Sequence, residues 1–213
     1  MALFATESAS EPASYGAKPA LLRDGWRGKE FDLVALPPRQ RVDAGPITTA
    51  DIPNLLRIAG AAMGVSLASE DVVTRIACAH PHAVWSFRRN ERVVGGVALL
   101  MLNASGLAAL LQDSFDLNDP PAALMVAPGE RPAAIYVWAI LGVAFASEGI
   151  AHAIIRLQQP PYEQADLYAM PATDAGLRFT CGLGFTLVPG RSRPLYRYVR
   201  LANRVHTGSE GVQ

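Results

Sequence analysis

The sequence predicts an α/β (α+β) fold, in which a mixed central sheet of about six to seven strands is flanked by helices. Two observations lead to this prediction. The chain has 213 residues, of which 50% are hydrophobic, and that is enough for one good core. Segments with strand-like and helix-like periodicity also alternate, in the order strand, two helices, three strands, helix, strand, helix, two strands.

The two ends of the chain differ in composition from its middle. Residues 1–43 are rich in Ser, Ala, Pro and Gly and are predicted to form a flexible arm. Within this arm, "FDLVALPP" is predicted to supply one edge strand that Pro37 and Pro38 stop. The folded domain is expected to cover residues 44–202, and residues 203–213 are predicted to be a disordered tail.

Two helices are predicted at the start of the domain. In "TTADIPNLLRIAGAAMG" the apolar residues fall on one helical face, and Thr48 or Thr49 can cap the start. Pro53 is tolerated there because it lies in the first turn. In "SEDVVTRIACAH" the expected cap is Ser69, followed by two acidic residues that suit the positive end of a helix.

Three strands follow, with a proline-rich segment before the third. "AVWSFRR" and "RVVGGVALLML" are predicted to form a hairpin through a tight turn at Asn90 and Glu91. Residues 103–132 begin as a short apolar helix and are then broken by Pro120, Pro121, Pro128 and Gly129. "AAIYVWAIL" is β-branched and aromatic, which indicates a strand buried on both faces.

The last elements complete the alternation. A helix is predicted from about Gly149 to Gln159, ending before Pro160. "QADLYAM" is predicted to be a strand, and "TDAGLRFTCGLG" a short helix with Thr173 as its cap. "FTLVPG" and "PLYRYVRLA" are predicted to close the chain as a pair of strands.

Charge and composition exclude several classes of protein. Lys+Arg and Asp+Glu are 19 each, so no net charge attracts the chain to nucleic acid or to an acidic membrane. The longest apolar run, residues 133–146, is shorter than the roughly 20 residues of a membrane span. The first residues lack the pattern of a secretory signal, and Cys78 and Cys181 make no disulfide framework. We therefore expect a soluble cytoplasmic protein with no membrane partner.

The stretch "LGVAFASEGIAHAII" at residues 141–155 raises the question of a phosphate site. A strand that passes through Gly142 and Gly149 into a helix leaves backbone N–H groups pointing outward, and these can bind a pyrophosphate without a basic side chain. Glu148 counts against an anion at that place. The alternative is an ordinary strand-to-helix turn in which Gly149 serves close packing.

Two segments and the order of the elements resemble the GNAT acyltransferase superfamily. Its cofactor loop, roughly V-x-P-x-Y-[RQ]-x-x-G-x-[GA]-x-x-L-L, matches residues 141–155 through Leu141, Phe145, Gly149, Ala151, Ile154 and Ile155. Val143 replaces the proline and Ala146 the Arg or Gln. A second family segment, near N-x-x-A-x-x-L-Y-x-x-x-G-F, falls on residues 173–185 and matches at Gly184 and Phe185. The resemblance covers about residues 46–201, with residues 103–132 as a long insertion.

The resemblance implies a function and a binding site. It implies an N-acyltransferase that moves an acetyl or other acyl group from coenzyme A to an amine, with acetyl-CoA or another acyl-CoA as cosubstrate and an unknown acceptor. The backbone of Ser147, Gly149, Ile150 and Ala151 would hold the pyrophosphate. The end of the preceding strand, at Leu141, Gly142 and Val143, would hold the pantetheine arm. The insertion would cover the acceptor site or widen the acyl pocket.

No catalytic residue is identified at a position that matches the family. The strand "AAIYVWAIL" has no carboxylate to act as a base, and Thr180 takes the place of the tyrosine that protonates the leaving thiolate in many members. Tyr168 is a weak candidate. The alternative hypothesis is therefore a GNAT-like domain that has lost catalysis and acts as a binding or regulatory module.

Two other groups of residues could bind a ligand but have simpler interpretations. Cys78, His80 and His82 have a spacing that a metal could use, but without a second cluster they are expected to be ordinary loop residues and no metal site is predicted. The closing strand carries five basic residues, Arg191, Arg193, Arg197, Arg200 and Arg204. They are expected to be solvated on an edge strand, and a nucleic-acid partner is the third and weakest hypothesis. A homodimer through the closing strands stays open.

Overall fold

The structure, a computed structural model, describes residues 3–5, 42–63, 68–142 and 146–200. In these ranges the strands are β1 (Leu3–Ala5), β2 (Asp43–Pro46), β3 (Val84–Arg89), β4 (Arg92–Leu102), β5 (Ala134–Gly142), β6 (Asp166–Ala169), β7 (Thr186–Leu187) and β8 (Tyr196–Tyr198). The α-helices are α1 (Ile52–Met63), α2 (Glu70–Ala79), α3 (Ala104–Leu111), α4 (Ala146–Leu157) and α5 (Asp174–Gly182).

The strands form one mixed sheet, as the sequence predicted. Seven of them follow the order β2-β3-β4-β5-β6-β8-β7, and β1 lies beside β5 outside that run. The pairs from β2 to β5 are antiparallel, β5 and β6 are parallel, and β6, β8 and β7 are again antiparallel. The parallel pair is joined by a crossover through α4, which is the connection that parallel neighbours require.

The first two helices begin near the predicted residues, but only one of them has a side-chain cap. Ser69 caps α2, since its Oγ accepts a hydrogen bond from the Val72 N–H at 3.3 Å. Thr48 makes no such bond to the backbone; its hydroxyl donates to Asp51 Oδ2 at 2.5 Å. One turn of 3-10 helix, Thr49–Asp51, then leads into α1. The cap at Ser69 is confirmed.

The hairpin of β3 and β4 forms at the predicted turn. Asn90 and Glu91 have φ values of 49° and 67°, which is the left-handed pair of a two-residue hairpin turn. Between β4 and its neighbours the backbones come very close. A Cβ on Gly96 would lie 2.4 Å from the Trp85 carbonyl oxygen and 3.0 Å from Leu55 of α1. Glycine at this position is therefore required by the packing of β3, β4 and α1.

The helices cover both faces of the sheet. Leu55 of α1 lies over Gly96, whereas Gly149 of α4 lies against Phe87, which pairs with Gly95. Adjacent residues of a strand face opposite sides, so α1 and α4 lie on opposite faces. The core between them contains the fully buried Ile52, Phe87, Leu100 and Tyr136.

The insertion at residues 103–132 packs onto the domain. Asn103 caps α3 by accepting from the Gly106 N–H at 2.9 Å. The Trp138 indole N–H donates to the Leu117 carbonyl at 2.8 Å, and Arg191 donates to the Leu110 carbonyl at 2.6 Å. Contacts from β5 and from the loop before β8 therefore hold the insertion in place.

Three predictions about the elements need correction or lie outside the description. The first strand of the domain is β2, with the sequence "DAGP", which the composition did not indicate; its proline is acceptable because β2 is an edge strand. The strand predicted at "FDLVALPP" lies outside the described residues. The closing strand β8 lies between β6 and β7, so the prediction that it forms an edge was wrong.

The boundary of α4 also differs, because the helix runs from Ala146 to Leu157. The bounds of the arm, the domain and the tail stay predictions. No helix in the described part of the chain is both long and apolar enough to cross a membrane.

Candidate functional site

The two neighbours of β5 pair with it over different lengths. β4 stays in register along the strand from Ala134 to Gly142, with one irregularity. There Leu99 pairs with Val137 and Ala98 with Ala139, so Trp138 is an extra residue on β5, a β-bulge. On the other side β6 pairs only as far as Val137. We call the β6 side of residues 139–141 the open edge, because β6 has left β5 there.

The open edge is occupied by β1. Leu3, Phe4 and Ala5 pair in parallel with Ala139, Ile140 and Leu141. β1 also lies close to α1 and to α5, the helices on the two faces of the sheet. Residues 3–5 therefore lie beside β5 at the point where β6 has left it.

A cavity of about 250 Å³ lies next to this gap, between α4 and α5. Its walls are mainly apolar and come from the sheet and from both helices. They include Val97, Leu99, Val137, Ile140, Ile150, Ala153, Ile154, Leu157, Leu167, Phe179, Leu183 and Phe185. None of the described residues of the insertion lines it, so the expectation that the insertion widens this pocket is not supported.

Four residues bring polar groups to the cavity wall: Gln158, Thr180, Tyr198 and Arg200. The Thr180 side chain is buried and its Oγ1 has no hydrogen-bond partner. Arg200 is held in place, since it donates to the Leu157 carbonyl at 2.9 Å and to the Ala165 carbonyl at 3.2 Å. The Thr180 hydroxyl is thus a buried group that a ligand in the cavity could satisfy.

The residues predicted to hold a cofactor lie at the end of β5 and the start of α4. Leu141 is buried, and Gly142 is half-buried at the last position of β5. Ser147 is exposed in the first turn of α4, Ile150 lines the cavity and Ala151 is half-buried. Val143 lies outside the described residues. These assignments stay predictions.

The early start of α4 changes the geometry that the sequence suggested. Because the helix begins at Ala146, its unpaired N–H groups belong to the first turn, at Ala146, Ser147 and Glu148. The N–H groups of Ile150 and Ala151 lie a turn further in, where helix geometry pairs them with carbonyls. A Cβ on Gly149 would come within 2.4 Å of the Phe87 ring, which supports the packing role for this glycine.

Tyr168, the weak catalytic candidate, is not among the described residues that line the cavity. Its neighbour Leu167 lines it, and adjacent residues of β6 face opposite sides of the sheet. Burial raises the pKa of the Tyr168 phenol above its usual range. Tyr198, which pairs with Leu167 across β6 and β8, faces the cavity instead. Sequence analysis missed Tyr198; the alternation of Tyr and Arg along β8 was the available indication.

The arginines of the closing segment mostly have partners inside the protein. Arg197 bonds the buried Asp166, with its Nε 2.8 Å from Oδ2. Arg191 donates to Asp113 Oδ1 at 2.5 Å, and Arg200 is buried. The expectation of solvated arginines was wrong for Arg191 and Arg200, whose side chains are buried, whereas the Arg197 side chain pairs with Asp166 and is still 43% exposed. This pairing leaves little basis for a nucleic-acid surface. Arg204 lies outside the described residues.

A second polar cluster, also missed, joins His80 and His82 to α4. His82 Nδ1 lies 3.1 Å from the Tyr162 hydroxyl, and Arg156 Nε donates to His82 Nε2 at 3.2 Å. His80 is buried, its Nδ1 accepts from the His82 N–H, and burial lowers its pKa to about 4. Cys78 is exposed. No group of three or more His, Cys, Asp and Glu in the described ranges could hold a metal ion.

Solved structures share this architecture at low sequence identity. The loading GNATL domain of CurA from Lyngbya majuscula is 10% identical with a TM-score of 0.55, covering 75% of this chain and 98% of its own. The GphF GNAT-like decarboxylase in complex with isobutyryl-CoA is 15% identical with a TM-score of 0.50, covering 68% and 72%. No protein-family model and no curated protein matches the sequence. The chain therefore has the GNAT fold, as its resemblance to that superfamily predicted.

Proposed function

We propose that this domain binds an acyl-coenzyme A and transfers the acyl group to an amine. The observation that carries the proposal is the apolar cavity of about 250 Å³ beside the open edge of β5. One solved protein of the same fold holds isobutyryl-CoA. An acyl chain is the part of such a ligand that apolar walls would favour.

The reaction needs little from the protein beyond orientation and proton transfer. The amine nitrogen forms a bond to the thioester carbonyl carbon, the carbon–sulfur bond breaks, the nitrogen loses a proton and the thiolate gains one. Of the described residues that line the cavity, Thr180 and Tyr198 carry O–H groups, and the Tyr198 phenol, as the stronger acid, is the candidate acid for the thiolate. The base is unassigned, and water can carry that proton away.

The lining predicts a preference for acyl chains longer than acetyl. Each methylene group buried in the cavity contributes about 0.8 kcal/mol, which is roughly a fourfold decrease in Kd. Calorimetric titration with free coenzyme A, acetyl-, isobutyryl- and hexanoyl-CoA measures this increment directly. Micromolar binding that tightens with chain length supports the proposal. Flat titrations with all four ligands contradict it.

Neighbouring isoleucines of α4 provide a matched pair of variants for this titration. Ile154 lines the cavity, whereas the next residue, Ile155, is 42% exposed. Ile154→Trp should fill the cavity and weaken binding of the longer acyl-CoA at least tenfold, or about 1.4 kcal/mol. Ile155→Trp should leave the Kd unchanged. Equal affinities of the two variants would place the acyl chain elsewhere.

A second candidate function is acyl-CoA binding without turnover, as in a regulatory module. It is favoured by one observation: no carboxylate or imidazole is among the described residues that line the cavity. The two candidates differ in the product. Formation of an amide and free thiol with any member of an amine panel supports the transferase, whereas tight binding without release of thiol supports the module.

A further inference from the structure

An unpaired stretch of strand backbone is a site where another strand or an extended ligand can bind. Along β5, the side facing β6 is paired up to Val137, and β6 leaves it at residues 139–141. Such an exposed row of N–H and C=O groups readily accepts a further strand. The bulge at Trp138, in the pairing of β5 with β4, lies at the same point of the strand.

The protein fills this stretch with its own N-terminus. β1 pairs residue by residue with 139–141, in parallel, as an extension of the β6 side. It lies close to both α1 and α5, so it is placed between the two helical layers. The cavity wall includes Ile140, the partner of Phe4 in this pairing.

We propose that β1 is a built-in competitor of the cosubstrate: residues 3–5 and the pantetheine arm of an acyl-coenzyme A take the same backbone groups of residues 139–141, a stretch that meets the predicted residues 141–143 at Leu141. This inference rests on the proposed function. Pantetheine contains two amide groups on an extended chain, so it can bond to strand backbone much as a peptide does. Both cannot lie on the open edge together. Acyl-coenzyme A then binds only to molecules in which β1 has detached.

The competition has a measurable consequence for affinity. The apparent Kd equals the intrinsic Kd divided by the fraction of molecules in which β1 is detached. Weakening β1 should therefore tighten binding of coenzyme A and its thioesters without any change in the site itself. Conversely, saturation with ligand should release residues 3–5.

The experiment uses proline substitutions in the full-length chain. N–H groups of neighbouring strand residues point to opposite sides, so of residues 4 and 5 one donates toward β5. The double variant Phe4→Pro/Ala5→Pro removes that donor and disfavours the strand. Ser8→Pro/Ala9→Pro, with the same length and the same number of prolines, is the control. Hydrogen exchange of residues 139–141 and 3–5 and titration with isobutyryl-CoA are measured for each protein.

We expect faster exchange at residues 139–141 in the strand variant without ligand, and a Kd about tenfold lower than that of the wild type and the control. In the wild type, saturating ligand should speed exchange at residues 3–5 and keep 139–141 protected. If exchange at 139–141 and the Kd are both unchanged in the strand variant, the inference is overturned while ligand binding stands. If exchange speeds up and every titration is flat, the proposed function fails, and the competition fails with it.

Discussion

The two edges of β5 differ in how far they are paired with the neighbouring strands. Toward β4, pairing continues from Ala134 to Gly142, and the two backbones lie so close at Gly95 that a Cβ there would be 2.5 Å from the Leu141 carbonyl oxygen. Toward β6, pairing stops at Val137, and beyond it lie β1 and an apolar cavity. The same strand therefore pairs along its whole length on one side, whereas on the other it loses β6 beside β1 and the cavity.

Helix α4 joins the two regions. At its C-terminal end, Arg156 donates to His82, and Arg200 bonds the carbonyl of Leu157. Along one side it lines the cavity from Ile150 to Gln158. Gly149 rests on Phe87 of β3, in the closed part of the sheet. Contacts with Phe87 and His82 therefore hold α4 in place, and its other side forms a wall of the cavity.

The largest expected effect in the closely paired part of the sheet belongs to Gly96→Ala, at the close approach of β4 to β3. The new Cβ would lie 2.4 Å from the carbonyl oxygen of Trp85, a backbone atom that cannot move without displacing β3. We expect a loss of about 3 kcal/mol or more in the free energy of unfolding. Chemical denaturation monitored by tryptophan fluorescence measures it.

Gly45→Ala is the matched control for that change. Gly45 lies in the edge strand β2, and a Cβ there would meet nothing within 4 Å. Its effect should stay within about 0.5 kcal/mol. If both variants lose the same stability, the close approach at Gly96 has no special importance.

The second prediction concerns the loss of folding stability at low pH that the buried His80 and its neighbour His82 cause. The pKa of His80 falls from 6.5 to about 4 on folding, and burial also lowers the pKa of His82. The unfolded chain therefore takes up these protons first, so this stability is complete above about pH 6.5 and is lost as the pH falls toward 4. Between pH 6.5 and 4.5 we expect His80 alone to account for a loss of roughly 2 to 3 kcal/mol. Urea unfolding across this range measures it.

His80→Gln separates this effect from general acid denaturation. Gln retains an acceptor for the His82 N–H but does not titrate, so the variant should lose less stability between pH 6.5 and 4.5 than the wild type. A His80→Gln protein with the wild-type slope would contradict the prediction.

The smallest expected effect is a change in coenzyme A affinity when Glu148 is replaced. This residue lies in the first turn of α4, where an anion would meet the positive end of the helix. Glu148→Lys should tighten binding of coenzyme A by about 1 kcal/mol, or roughly fivefold in Kd at low salt. Calorimetry at two salt concentrations measures it, because the gain should shrink as salt rises.

Glu70→Lys provides the same change of charge in the first turn of another helix. Glu70 is exposed at the start of α2, so its reversal should lower stability as much as Glu148→Lys does and leave the Kd of coenzyme A unchanged. Identical Kd values for the two variants would mean that the start of α4 faces no phosphate.

Much of the fold could be predicted because its determinants are local. The caps at Ser69 and Thr173 form as expected, with Thr173 Oγ1 accepting from the Gly176 N–H at 3.0 Å. The turn at Asn90 and Glu91 follows from the tolerance of Asn90 for positive φ. β2 was missed because "DAGP" has no strand propensity of its own; its pairing with β3 makes it a strand.

The candidate site could be predicted only in outline. The GNAT-like segments indicated the end of β5 and the start of α4, and both elements form there. The cavity itself is built from six separate elements, so no single stretch of sequence shows it. Tyr198 and Thr180 become neighbours of Leu167 only through the pairing of β6 with β8 and the packing of α5.

By itself, the sequence determined the alternation of strands and helices, their caps and turns, and the apolar strand β5, since each depends on residues a few positions apart. Tertiary structure alone decided where β6 leaves β5, that β1 enters the gap, and that His82 meets Tyr162 and Arg191 meets Leu110. These contacts join residues far apart in the chain. Their free energy depends on burial and geometry that arise only when the layers pack together.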